Sequence, residues 1–206
     1  MSGRGLLAVA SLALCFGGMA TVTGGVAVPV KARLAQATLE RMFEQRLTEH
    51  RLIEHRAERT GAPSRRVSRA ALALPTQGPV ARITVGRLGV KEYVLAGEPS
   101  HEQLAQGPTL LKAASAASPV TVLAAHRDTH FRFIRDLREG DEMTLQFVTG
   151  DRQRYRVVRF ETVRWDAFAY PLDPARPLLA LTTCFPFGGT EYGGPWRRVA
   201  WAERIG

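Results

Sequence analysis

Residues 6–30 carry no charge and follow Arg4, an interval long enough to cross a bilayer as a helix. A cleaved signal peptide is the alternative, because the apolar core over 6–16 runs into the small-residue pattern Gly18, Met19, Ala20. Gly17, Gly18, Gly24 and Gly25 weaken the span. Beyond it, Leu39, Met42, Phe43 and Leu47 recur at helical spacing with Glu40, Arg41, Glu44 and Arg46 between them. This predicts an amphipathic helix that continues to about Glu58 and breaks at Thr60, Gly61, Ala62, Pro63, Ser64. The arginine-rich stretch 65–69 and the Pro- and Gly-containing stretch 74–79 read as a linker.

From Ala81 the pattern changes to short apolar runs broken by Gly, Pro and Asp, which predicts an all-β domain. The candidate strands are 83–85, 93–96, 120–125, 143–148, 155–163, 178–184 and 196–202, with helical interruptions at 100–106 and 131–137. Arg138, Glu139, Gly140 and Asp141 form a turn signal into the next strand. So many short strands in so few residues suit a closed or nearly closed barrel.

The 206 residues are enough for one modest core plus appendages. The net charge of +9 comes from arginines scattered along the chain, which favours an anionic membrane face or an acidic partner. Nucleic acid is the competing reading of that charge, but no nucleic-acid partner is expected, since no zinc-finger spacing, clear recognition helix or basic–aromatic signature is present. The five histidines and the acidic residues form no HExxH or paired Cys and His pattern, so no metal site is expected.

Candidate chemistry lies at the strand ends. Cys184 closes the apolar run 178–183 and is the only cysteine besides Cys15, which reads as a small apolar residue of the span. In an exported chain thiols tend to pair, so a lone one signals chemistry. Phe185, Pro186, Phe187, Gly188 and Gly189 end that strand and place the sulfur at a strand-to-loop exit. His126 follows the run 120–125, and a histidine and a cysteine at two strand ends supply a nucleophile and a proton carrier. Arg197, at the start of the last strand, supplies a positive fork for a carbonyl oxygen that gathers charge.

The segments AAHRDTHFRFIRDLREGDE at 124–142, LLALTTCFPF at 178–187 and GGPWRRVAWA at 193–202 together resemble the sortases, specifically the Gram-negative type (class GN). The stretch Leu104, Ala105, Gln106, Gly107, Pro108 is similar to the family's segment ahead of its histidine strand. Two departures affect loop shape: Ala125 stands where a glycine usually precedes the histidine, and 109–111 lacks the family's glycine and histidine pair. The resemblance covers 81–206 and implies a β-barrel cysteine transpeptidase that needs no cofactor. The chain then divides into a membrane anchor or signal peptide at 1–33, the amphipathic helix and linker at 34–78, and a sortase catalytic domain at 79–206.

The resemblance further implies Cys184 as nucleophile, His126 as general acid and base, and Arg197 as the oxyanion and substrate-positioning group. Arg198 competes with Arg197, and since strand neighbours face opposite sides only one of them points into the site. The implied partners are a secreted protein with a C-terminal, LPxTG-like sorting signal and an amine acceptor. The implied location is the cytoplasmic (inner) membrane, single-pass, with the catalytic domain on the periplasmic side. Lys31, Arg33 and Arg41 outnumber Arg4, and that charge bias argues for the opposite orientation. A cysteine acyl hydrolase on the same site and a non-catalytic, membrane-tethered domain for an acidic partner are the competing readings.

Neighbouring residues have plainer readings beside the functional one. Arg127 either orients a substrate carboxylate or is a rim charge. Thr182 and Thr183 either line the groove or fill β-strand positions. Asp128, Thr129 and His130 read as caps of the following helix. Trp165, Trp196 and Trp201 read as core or interface anchors, and His50 and His55 as solvated residues.

Overall fold

The computed structural model describes residues 3–60, 74–189 and 193–205, with side chains from residue 31 onward. A long helix, α1 (Gly3–Thr60), precedes eight strands: β1 (Gly78–Val85), β2 (Val90–Ala96), β3 (Thr109–Lys112), β4 (Val120–Ala124), β5 (Glu142–Phe147), β6 (Arg152–Arg164), β7 (Leu178–Phe185) and β8 (Trp196–Arg204). They close into a barrel in the order β1-β2-β3-β4-β7-β8-β6-β5. A short helix, α2 (His101–Gln106), links β2 to β3, and a 3-10 turn at Arg132–Arg135 stands where a helix was predicted. The predicted anchor at 6–30 lies outside the residues with described side chains. Among the described residues no helix is long and apolar enough to cross a membrane. The linker stretch 65–69 lies outside the described residues.

β7 reads as an unbroken apolar run because both of its faces are buried. Leu179 and Leu181 join Val80, Ile83, Leu145 and Ala200 in the main cluster, whereas Leu178 and Ala180 join Val120, Val122, Val199 and Trp201 in another. The connection after β6 covers this second face, with Phe168 stacked on Trp201 at 6.1 Å. Trp201 is therefore core, while Trp165 and Trp196 are exposed.

α1 packs on the barrel through the predicted apolar stripe. Leu39, Phe43 and Leu47 cluster with Tyr93, Leu95 and Val148, but Met42 faces solvent. Charged flanks fix the docking: Glu40 meets Lys91 at 2.5 Å and Glu44 meets Arg82 at 2.9 Å. The Gln36 carboxamide accepts from Tyr93 N at 2.7 Å and donates to Tyr93 O at 3.3 Å and to Gln106 O at 3.0 Å. α1, β2 and α2 meet so closely at Gly107 that a Cβ there would stand 2.7 Å from Gln36 Nε2 and 2.8 Å from Tyr93 O. His55 is solvated as expected, but the His50 side chain is largely buried, 3.7 Å from Glu54.

Candidate active site

β4 and β7 are parallel neighbours with Ala124 opposite Thr182, and Ala125 N donates to Thr182 O at 3.3 Å. Each strand delivers its next residues at the same level, so His126 and Cys184 emerge side by side. Both line one cleft of about 460 Å³, with Arg127, Lys31 from α1, His101 from α2 and Gly193 ahead of β8. A free thiol and an imidazole line one partly enclosed cleft, the pair of groups that nucleophilic catalysis by cysteine uses.

His126 is half-buried, and among the described residues its Nε2 is a buried atom without a hydrogen-bond partner. Burial pushes its imidazole below the ordinary histidine range. The nearby His101 adds to that push, and a backbone hydrogen bond to His101 opposes it. A neutral ring at neutral pH is ready to accept a proton.

β7 and β8 are antiparallel, with Cys184 opposite Arg197 and Thr183 opposite Arg198. Opposed residues share a face, so Arg197 stands on the cysteine's face and Arg198 on the other. The Arg197 guanidinium donates to the carbonyls of Gly194 at 2.6 Å and Trp196 at 2.9 Å and does not line the cleft. Arg198 lies over the Phe160 ring at 4.9 Å and donates to Thr162.

Arg127 is buried, and its guanidinium donates to the carbonyls of Pro186, at 2.9 Å, and Gly189. It thus clamps the loop that follows the cysteine while one side of it meets the cleft. Thr182 and Thr183 are buried strand positions outside the cleft wall. The Thr183 hydroxyl donates to Ala125 O at 2.7 Å, tying the strand under Cys184 to the one under His126. His130 does not cap the following turn. It is 3 % exposed, with Nδ1 2.7 Å from Glu92 Oε2 and Nε2 3.2 Å from Ala105 O. A histidine already bound to two groups across the fold has no reach left for a helix end.

Sequence reasoning singled out neither Lys31 nor His101. The signal for His101 is the cap ahead of it: Ser100 accepts from Gln103 N, which starts a helix directly before the segment leading to the histidine strand.

A sortase-domain family model matches residues 83–205, more than half of the chain. Sortase D of Bacillus subtilis (strain 168) is 34% identical over 87 residues, a match that spans 41% of this chain and 42% of that relative. The chain thus matches about two-fifths of that relative's length. Among solved structures, sortase C-1 of Actinomyces oris is 25% identical with a TM-score of 0.52, covering 62% of this chain and 75% of that one. Sortase C of Clostridium perfringens SM101 is 17% identical with a TM-score of 0.57, covering 83% of this chain and 98% of that one, a likeness of fold. These comparisons reach the family and not the Gram-negative subtype. The closed barrel, the cysteine and histidine carried to one cleft by parallel strands, and the match across both of them lead to the same place: the chain belongs to the sortase family.

Proposed function

We propose that the chain is a membrane-anchored cysteine transpeptidase of the Gram-negative type. It cleaves a C-terminal, LPxTG-like sorting signal of a secreted protein and transfers the acyl group to an amine, on the periplasmic side of the inner membrane. The observation that carries the reading is the parallel register that sets His126 beside Cys184 with Arg197 on the cysteine's face. A sorting-motif complex among the similar folds, that of Clostridium perfringens sortase C at 22% identity, supports the substrate class.

In this reading neutral His126 takes the thiol proton as Cys184 sulfur attacks the scissile carbonyl carbon. Arg197 exchanges its backbone carbonyls for the oxygen on which negative charge develops. The C–N bond breaks as His126 returns the proton to the leaving amine, which leaves a thioester. The acceptor amine then attacks the thioester carbonyl, His126 removes its proton, and the C–S bond breaks to restore the thiol. A cysteine acyl hydrolase differs only in having water as acceptor.

The test is a labelled LPxTG-like peptide incubated with the protein, with and without an added amine. Transpeptidation predicts a thioester on Cys184 by mass spectrometry and an amine-dependent product, both lost in Cys184→Ala. Product from Cys184→Ala would overturn the reading, and cleavage indifferent to amine would favour the hydrolase.

A further inference from the structure

The His101 ring meets the His126 ring edge-on, with centroids 4.9 Å apart and planes at 64°. Both rings line the cleft that holds Cys184. His101 is the first residue of α2, a helix of only six residues that is nevertheless held at several points. Ser100 caps its start, and Gln103 Nε2 donates to Ala96 O and to the Thr109 hydroxyl, both at 3.3 Å. At its other end His130 reaches Ala105 O and Gln36 reaches Gln106 O. His130 is itself held by Glu92 of β2. A helix fixed by β2, by α1 and by the turn after β4 presents His101 to the acid–base ring in one defined position.

We propose that His101 is a positioning residue for His126: its ring, packed against the acid–base imidazole, fixes the orientation of that imidazole and its electrostatic surroundings. Two effects follow from one contact. The two rings are in contact, and imidazole edges and faces attract in this T-shaped arrangement, which favours one orientation of His126. A neighbour able to carry positive charge makes the imidazolium of His126 costlier, which keeps the ring in its proton-accepting form.

Other titratable and charged groups stand in or near the cleft, and of these His130 and Asp128 act on the His126 ring. Lys31 from α1, Arg127 and Asp128 from the turn after β4, and Cys184 from β7 share the cleft. His130, which also disfavours the charged form, is paired with Glu92 of β2, and Arg197 stands opposite Cys184 on β8. Glu102 follows His101 on α2.

The proposal rests on the transpeptidase reading for its kinetic consequence but not for its structural one, so two measurements are paired. The first is the pH profile of kcat/KM with the sorting-signal peptide for the wild type, His101→Phe and His101→Ala. Phe keeps the ring edge and loses the second imidazole; its plateau falls less than that of Ala and its acid limb moves to higher pH. Ala loses both, so the plateau falls roughly 10-fold, the scale on which a displaced catalytic group costs rate, and the limb moves the same way. The second is NMR titration of histidine-labelled protein in a Cys184→Ala background. It follows His126 without turnover and shows its midpoint rising in His101→Phe.

An unchanged His126 midpoint in His101→Phe, with wild-type thermal stability, overturns the proposal even if turnover is high. Absent turnover in the wild type with a shifted midpoint overturns the transpeptidase reading and leaves the positioning contact standing. Should His101→Ala fail to fold, His101→Phe and His101→Asn carry the same comparison.

Discussion

Cys184 and Arg197 are direct partners across the β7–β8 ladder, while Arg198, one residue on, is partnered with Thr183. Two adjacent arginines therefore face opposite sides of one strand. Arg197→Ala is expected to lower kcat by about 10²–10³-fold, the usual cost of removing an oxyanion donor, with Arg197→Lys recovering little because an ammonium lacks the planar fork. Arg198→Ala, which loses its stack on Phe160 and its bond to Thr162, is expected to keep most of the activity. Steady-state kinetics on the two alanine variants checks the assignment, and the reverse ranking would refute it.

Burial holds the His126 imidazole below its ordinary value of 6.5, so the folded chain resists the proton more than the unfolded chain does. As pH falls through that value the unfolded chain takes up the proton first. The stability tied to a neutral His126 is present above about 6.5 and is lost below it. Urea unfolding at pH 7.5 and 5.5 should show a larger drop for the wild type than for His126→Asn. Equal drops would mean the ring titrates alike in both states.

His130→Ala removes the group that joins Glu92 to Ala105 inside the fold. The stranded carboxylate and carbonyl are expected to cost about 1–3 kcal/mol. Denaturant melts of the variant give the figure directly, and a loss within experimental error would show that the pair contributes no net stability.

Arg127→Ala frees the carbonyls of Pro186 and Gly189 from their clamp. Faster amide exchange at Phe187, Gly188 and Gly189 is expected, with kcat/KM down about 10-fold as the cysteine's loop loosens. A higher KM with unchanged exchange would instead assign Arg127 to substrate binding.

Phe43→Ala empties the pocket between α1 and β2. The expected loss is about 3–5 kcal/mol, measured by chemical denaturation. A loss near zero would mean that α1 docks without stabilising the barrel.

The elements legible in the sequence are those whose signal is local. The runs ending at Ala125 and Cys184 are apolar on both faces, and their abrupt ends mark where His126 and the thiol emerge. β3 escaped notice because Thr109, Leu110, Leu111, Lys112 is four residues without alternation, directly after a proline, and it meets β2 at a single pair, Leu95 and Thr109. Phe131, Ile134 and Leu137 repeat every three residues, which announces a helical turn but not its 3-10 form. The role of His130 was hidden because its partner Glu92 lies 38 residues earlier, brought near only by closure of the barrel. Parity along β8 separates Arg197 from Arg198, but which of the two shares the cysteine's side depends on the register with β7.

The Gln36 carboxamide, bonded to both the N–H and the carbonyl of Tyr93, behaves as a one-residue strand. Beyond Leu95, β2 has no further partner on that flank among the described strands, so those groups would otherwise form a bare edge, a template for a strand of another molecule. The helix that leads into the barrel thereby also closes one flank of β2, so that the docking of α1 and the completion of the sheet are a single event.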